Sequence, residues 1–208
     1  MKLYEGYYWP TNDQKCHILT TASAGRIATE WLPHVKGRRV AVQAGGNCGV
    51  FPLVLSKYFD QVYTFEPDAD NFACLLLNCR GVENIQARCA AVHDVSGRQL
   101  AMELKPTNAG AHYVKPAAGG TVPSIRVDDL KLDACDLIAL DVEGFEYFGL
   151  KGARQTIEAF HPTLIFEMLS HGRARYQVRD EMIYEFLRER GYVYRCHVES
   201  DEVWSYPS

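Results

Sequence analysis

From residue 39 onward, short continuous apolar runs alternate with longer stretches in which apolar residues recur at helical spacing. Arg39 to Ala44 reads as a strand, 49 to 59 as a helix, 61 to 66 as a strand and 68 to 80 as a helix. Asp68 is placed to cap that second helix and Gly81 to stop it. A third strand is predicted at about 84 to 91, then strands at 136 to 142 and 163 to 168 that alternate with helices at about 146 to 159 and 179 to 190. This rhythm predicts a parallel sheet covered by helices on both faces.

Three stretches depart from the rhythm. The Gly- and Pro-rich segment reaching residue 127 carries the short β-like pieces "RQLAMEL", "AHYV" and "SIRV" and reads as an insertion, with "NAGAHY" and "AAGG" as lid or plain connection. The tail holds two β-like runs, "GYVYRCHV" and "EVWSY", separated only by Glu199, Ser200 and Asp201, which suits an antiparallel hairpin. The start packs Tyr4, Tyr7, Tyr8 and Trp9 closely together and leads into a helical pattern at 21 to 35. Residues 1–35 therefore form an aromatic and helical extension, and 36–208 the main domain. Tyr7, Tyr8 and Trp9 are candidates for a flap that stacks on substrate; the alternative is that they cover an apolar patch.

Composition narrows the function. A net charge of -4 and a pI near 6.0 argue against coating a long nucleic acid. No apolar run is long enough to cross a bilayer and the start has no signal-peptide core, so a cytoplasmic location with no membrane partner is expected. The seven cysteines are an odd number with no C-x-x-C pair and read as buried reduced thiols.

Candidate chemistry begins at "VAVQAGGNCGVF". A strand running into Gly45, Gly46 and Gly49 resembles a nucleotide loop but lacks the full G-x-G-x-x-G that a pyrophosphate requires. S-adenosylmethionine has no pyrophosphate and makes the lighter demand, namely glycines that let the chain pass beneath it and a helix N-terminus for its carboxylate. Glu66, about 20 residues past the glycines, stands where an acid reaches ribose hydroxyls. Gln43 replaces a frequent acid, and its amide is a candidate for binding the amino acid part of the cofactor. A parallel sheet ending in a hairpin favours the same cofactor, because a dehydrogenase more often continues with a helix.

Taken in order, "AGGNCGVF", "VYTFEPDADNFACLLLN", "AAVHDVSG", "SIRVDDL" and "DLIALDVEGFEYFGLKGA" resemble the FkbM-type methyltransferases across roughly residues 38 to 170. The resemblance implies an α/β fold with a Rossmann-like class I methyltransferase sheet, mostly parallel, and methyl transfer to a hydroxyl of a sugar or other small molecule. The cofactor-binding set is then Gln43, Ala44, Gly45, Gly46, Asn47, Gly49, Glu66, Pro67, Ala90, Ala91 and Asp141.

"DVEGFE" places Asp141 and Glu143 at the carboxyl end of a strand, on one side of it, beside the crevice where open α/β sheets bind ligands. One of them, or His171 in the next loop, is the expected base. The competing roles are a divalent metal site, less favoured because no His cluster accompanies them, and simple capping of the next helix. Glu167 ends the following strand, and "SHGRARYQVRD" carries Arg173, Arg175 and Arg179 with no acid between His171 and Arg179. Arg173 and Arg175 are candidates for gripping an anionic acceptor. An NAD-type oxidoreductase and a non-catalytic nucleotide-binding protein remain as alternatives.

Overall fold

A computed structural model describes residues 1–207, the side chain of Ser170 apart. The chain opens with a hairpin, β1 (Lys2–Tyr4) and β2 (Tyr7–Trp9), followed by α1 (Cys16–Ala24). The helix predicted at 21 to 35 thus starts earlier, because the Asp13 carboxylate accepts from the free amides of Cys16 and His17 at 3.0 and 2.9 Å. It does not continue as one α-helix. A π-helical turn at Ile27–Trp31 and a 3-10 turn at Leu32–His34, which contains Pro33, complete it.

Then come β3 (Val40–Ala44), α2 (Val50–Leu55), β4 (Gln61–Phe65), α3 (Ala69–Asn78), β5 (Ile85–Arg88) and β6 (Ala91–Val92). The insertion supplies β7 (Gln99–Glu103), β8 (Tyr113–Pro116) and β9 (Val122–Ile125). The chain continues with β10 (Leu137–Leu140), α4 (Glu146–Gly152), α5 (Arg154–Phe160), β11 (Thr163–Glu167), α6 (Ser170–Ala174), α7 (Asp180–Arg188), β12 (Val193–Val198) and β13 (Asp201–Ser205). Asp68 caps α3 as expected, its side chain accepting from the amides of Asp70 and Asn71.

Seven strands form the central sheet in the order β12-β13-β11-β10-β3-β4-β5. β3, β4, β5, β10 and β11 are parallel, and every residue of β3 and β10 is buried, as expected where helices cover both faces. The tail forms its hairpin, but β13, the second strand of it, is the one that pairs antiparallel with β11. The chain builds outward from β3 to β5 and then returns to the other side of β3 as β10, so the strand order reverses between β3 and β10. A crevice opens at the carboxyl ends of such a pair.

The insertion folds into a small sheet of order β6-β9-β7-β8. Ala91, Leu100, Val114 and Val122 pack against Phe145, and this cluster holds it at the crevice. The helix expected at 146 to 159 is split at Ala153. Asp128 supplies the missing cap of its second half from outside, accepting from the amides of Gln155 and Thr156 at 3.2 and 2.9 Å. Asp128→Ala is expected to lower unfolding free energy by about 1–2 kcal/mol, the usual cost of losing a helix cap, measured by urea denaturation.

Candidate functional site

The glycine loop is shaped by what lies beside it. Gly45 has φ +85°, and a Cβ there would collide with the backbone carbonyl of Asp141, so no side chain fits where the loop leaving β3 passes the end of β10. The Gly45 and Gly46 amides donate to the Phe65 carbonyl at 3.0 and 2.8 Å, which ties the loop to β4. Gln43 braces the same loop from below. Its amide nitrogen donates to the Gly45 carbonyl at 2.8 Å and its oxygen accepts from the Thr64 hydroxyl at 2.6 Å. This corrects the expectation that its amide reaches a cofactor: Gln43 is buried beneath the loop and lines neither cavity at the crevice mouth.

Two adjoining cavities open at the mouth. The first, about 100 Å³, is lined by Ala44, Gly45, Gly46, Asn47, Glu66, Pro67, Ala90 and Ala91, together with Asn71, Ala109, Gly110 and His112. Gly49 stands back from it as the left-handed residue, φ 89°, that starts α2. Glu66 follows β4 directly and is buried, with Oε2 accepting from the Asn47 amide at 2.7 Å and Oε1 from the Asp68 amide at 2.8 Å. Burial pushes its carboxyl up to about 7 in spite of these two bonds. Each oxygen has one bond and retains a second lone pair, so the carboxylate can still accept from two hydroxyls.

The second cavity is larger, about 480 Å³, and is lined by Thr20, Ser23, Arg26, Trp31, Glu167, Glu199 and Asp201, among others. Asp141 and Glu143 line both cavities. Oxygens of Asp141, Glu143 and Glu167 all lie within 4.8 Å of one another, a set that is also able to hold a cation. The turn after β10 is satisfied by a different acid. Glu146 Oε1 accepts from the Val142 and Gly144 amides, each at 3.1 Å, so capping is not what Asp141 and Glu143 are used for.

This crowding acts on the protons. Burial, then the charges of Asp141 and Glu143, pushes Glu167 up to about 10. Burial, then Asp141, pushes Glu143 up to about 7. Asp141 keeps solvent-accessible surface in the crevice, yet the surrounding walls raise its carboxyl too, while a hydrogen bond from Glu167 lowers it. At neutral pH Glu167 therefore keeps its proton, which leaves it a donor beside Asp141.

Other candidates fall elsewhere. Trp9 is fully buried in a cluster with Cys16, Cys48 and Cys74, flanked by Tyr7. Tyr8 is exposed, and none of the three lines either cavity. Trp9, with Tyr4 and Tyr7 packed against its cluster, is core and not part of a flap over substrate. His171 is exposed on α6, away from both cavities.

Arg173 is 1% exposed, with Nε and Nη2 donating to Asp180 Oδ1 at 3.0 and 2.7 Å. It holds α6 to α7 and does not grip a ligand. Arg175 donates to the Glu143 carbonyl at 3.0 Å and stacks on Tyr113 at 4.1 Å, bracing the turn from outside. His112, Asn71, Cys16, Thr20 and Asp201 line the cavities without a local sequence signal, since their partners lie far along the chain.

Strand order, the switch point and the acid-lined crevice define a class I methyltransferase fold. The model of the Methyltransferase FkbM domain matches residues 48–194, and the chain belongs to that family. The family is one of methyltransferases. No curated protein sequence matches it. It is similar in fold to the methyltransferase FkbM structure from Methylobacillus flagellatus KT, with TM-score 0.53 and 20% identity over 81% of this chain. It spans 44% of the length of that protein. SMU.1697c from Streptococcus mutans, solved in complex with SAH, aligns at TM-score 0.53 and 9% identity over 89% of this chain and 94% of that one. A precorrin-6y C5,15-methyltransferase from Geobacter metallireducens GS-15 aligns at TM-score 0.50 and 9% identity over 97% and 94%.

All seven cysteines are free thiols, five of them buried. Among the described residues, no helix is long and apolar enough to cross a membrane.

Proposed function

We propose that the chain methylates a hydroxyl oxygen of a small polyhydroxylated acceptor, such as a sugar, that carries no negative charge. The observation that carries this reading is the position of Asp141 and Glu143 on the wall shared by the two cavities. The first cavity's donor set suits S-adenosylmethionine: Glu66 has lone pairs to spare for the ribose hydroxyls, and Ala44, Pro67, Ala90 and Ala91 supply apolar wall. When bound there, S-adenosylmethionine supplies an electrophilic methyl on a sulfonium.

The second cavity then receives the acceptor. Asp141 would take the proton of the acceptor hydroxyl as that oxygen is methylated, and would end protonated. Glu167 orients Asp141 through the proton it keeps. Arg26, the cation lining this cavity, is paired with Glu199, so an anionic acceptor would meet carboxylates without a free counter-charge.

Thermal shift with SAH and a labelled-methyl assay test the reading. Uncharged and amine-bearing sugars are expected to accept methyl, and their phosphorylated counterparts to react at least about tenfold more slowly, a like-charge penalty of about 1.4 kcal/mol. Turnover confined to phosphorylated acceptors would overturn the acceptor class. EDTA is expected to leave the rate unchanged; loss restored by magnesium would reassign Asp141, Glu143 and Glu167 to metal binding.

A further inference from the structure

The first cavity is roofed by residues 105–112, a strap between β7 and β8 that contributes Ala109, Gly110 and His112 to its lining. The strap is pinned at several points. The Gln14 amide donates to the Thr107 carbonyl at 2.9 Å, the Ala109 amide to Asp13 Oδ1 at 3.1 Å, and Asn71 Nδ2 to the Ala109 carbonyl at 2.9 Å. Beneath it the cavity measures about 100 Å³, well below the roughly 300 Å³ at which ligand pockets begin. A nucleoside-sized ligand therefore needs the wall of this cavity to move, and the strap is the part of that wall held by loop contacts rather than by the central sheet.

His112 closes the strap's far end. Nδ1 lies 3.1 Å from Asp68 Oδ2 and Nε2 lies 3.2 Å from the Lys105 carbonyl, with both side chains of the His112–Asp68 pair nearly buried. A carboxylate and a carbonyl only accept hydrogen bonds, so both ring nitrogens must donate, and only the imidazolium has two N–H groups. Asp68 Oδ1 is already held by the α3 amides, so the ring links the strap to a fixed helix end.

We propose that His112 is a positioning residue of this pocket: as an imidazolium it clamps the strap of residues 105–112 over Glu66, and loss of its proton releases the His112 end of the strap. That the trapped ligand is S-adenosylmethionine or its product rests on the reading above; the clamp itself does not.

The charges around the ring favour the closed form. Asp68 faces it from the start of α3, Glu66 from the end of β4, and Glu143 from the turn after β10. Lys105 lies on the strap itself with its ammonium 5.3 Å from the Tyr113 ring, and Arg175 stacks on the same ring. On the α1 side the strap is held by Asp13, which is paired with His17. Burial alone would lower His112, but its bonds to Asp68 and the Lys105 carbonyl, with the charges of Asp68 and Glu66, hold it above the ordinary histidine value. A group raised in the folded state contributes its full stabilisation below the ordinary value and loses it as pH rises through the raised one. Glu66 and Glu143, each pushed up to about 7, gain charge through neutrality and place that loss on the alkaline side. A neutral ring keeps one donor and turns a lone pair toward the other acceptor.

Hydrogen exchange of peptides covering 105–112 in the ligand-free protein, corrected for intrinsic pH dependence, tests the clamp. Protection is expected to fall at least about tenfold between about pH 6 and about pH 9, the scale of one lost charge-assisted bond. In His112→Gln, whose single amide nitrogen cannot span both acceptors, protection should be low at both pH values. Equal wild-type protection at the two pH values, or a His112→Gln profile identical to wild type, would overturn it. Should that variant not fold, the wild-type step on the strap against unchanged β3–β4 peptides decides alone. Calorimetry with SAH separates the two readings: no SAH binding at any pH sinks the cofactor assignment while the exchange result still judges the clamp.

Discussion

Asp141→Asn is expected to lower the methyl-transfer rate by about 100-fold or more, the usual range for loss of a general base, while SAH affinity stays unchanged. The amide is nearly the same size as the carboxylate and still accepts from Glu167, so the crevice keeps its shape. What it cannot do is take a proton. Glu167, pushed up to about 10 by burial and then by Asp141 and Glu143, keeps its own proton at neutral pH and so is not the group that accepts one. A base must be unprotonated to act, so the wild-type rate should rise with pH as the raised Asp141 carboxyl ionises, and Asp141→Asn should lose that limb. Single-turnover rates with calorimetry on the same sample make the check. A rate that survives Asp141→Asn but collapses in Glu143→Gln would move the base two residues along, to the acid held near 7.

Glu66→Ala should weaken SAH binding by roughly tenfold to more than a hundredfold, because charge-assisted hydrogen bonds are each worth about 1.5–3 kcal/mol. The substitution also removes the acceptor of the Asn47 and Asp68 amides, and part of the loss arises from a loosened glycine loop. Glu66→Gln separates the two contributions. It keeps a carbonyl oxygen for one of those amides but offers one acceptor oxygen instead of two, so its affinity should fall between wild type and Glu66→Ala. Wild-type affinity in both variants would mean that the ribose is held elsewhere.

These two sites differed in how plainly they could be read. Glu66 was legible because its place follows from spacing: a strand, a glycine turn, a helix and a second strand bring an acid to the crevice edge whatever the surrounding side chains. The pair at 141 and 143 was legible as a pair, since strand geometry puts both on one side. His171 looked equivalent to them because a sequence shows only that it follows a strand. The fold turns it outward on α6. Arg173 misled for a related reason. A cationic run invites an anion, but Asp180, seven residues on, is folded back onto it across the turn into α7.

The sequence by itself determined the alternation of strands and helices, the parallel character of the sheet, the hairpin at its end, the α3 cap at Asp68 and the acids that end β4, β10 and β11. All of these follow from local periodicity and turn chemistry, which act over a few residues. Only the tertiary structure decided which strand of the hairpin joins β11, that Gln43 braces the loop from beneath, that Trp9 is core, that Glu146 and not Asp141 satisfies the turn, and that His112 meets Asp68. Each of these depends on groups far apart in the chain meeting at one place, and no local pattern records which buried donor will find which acceptor.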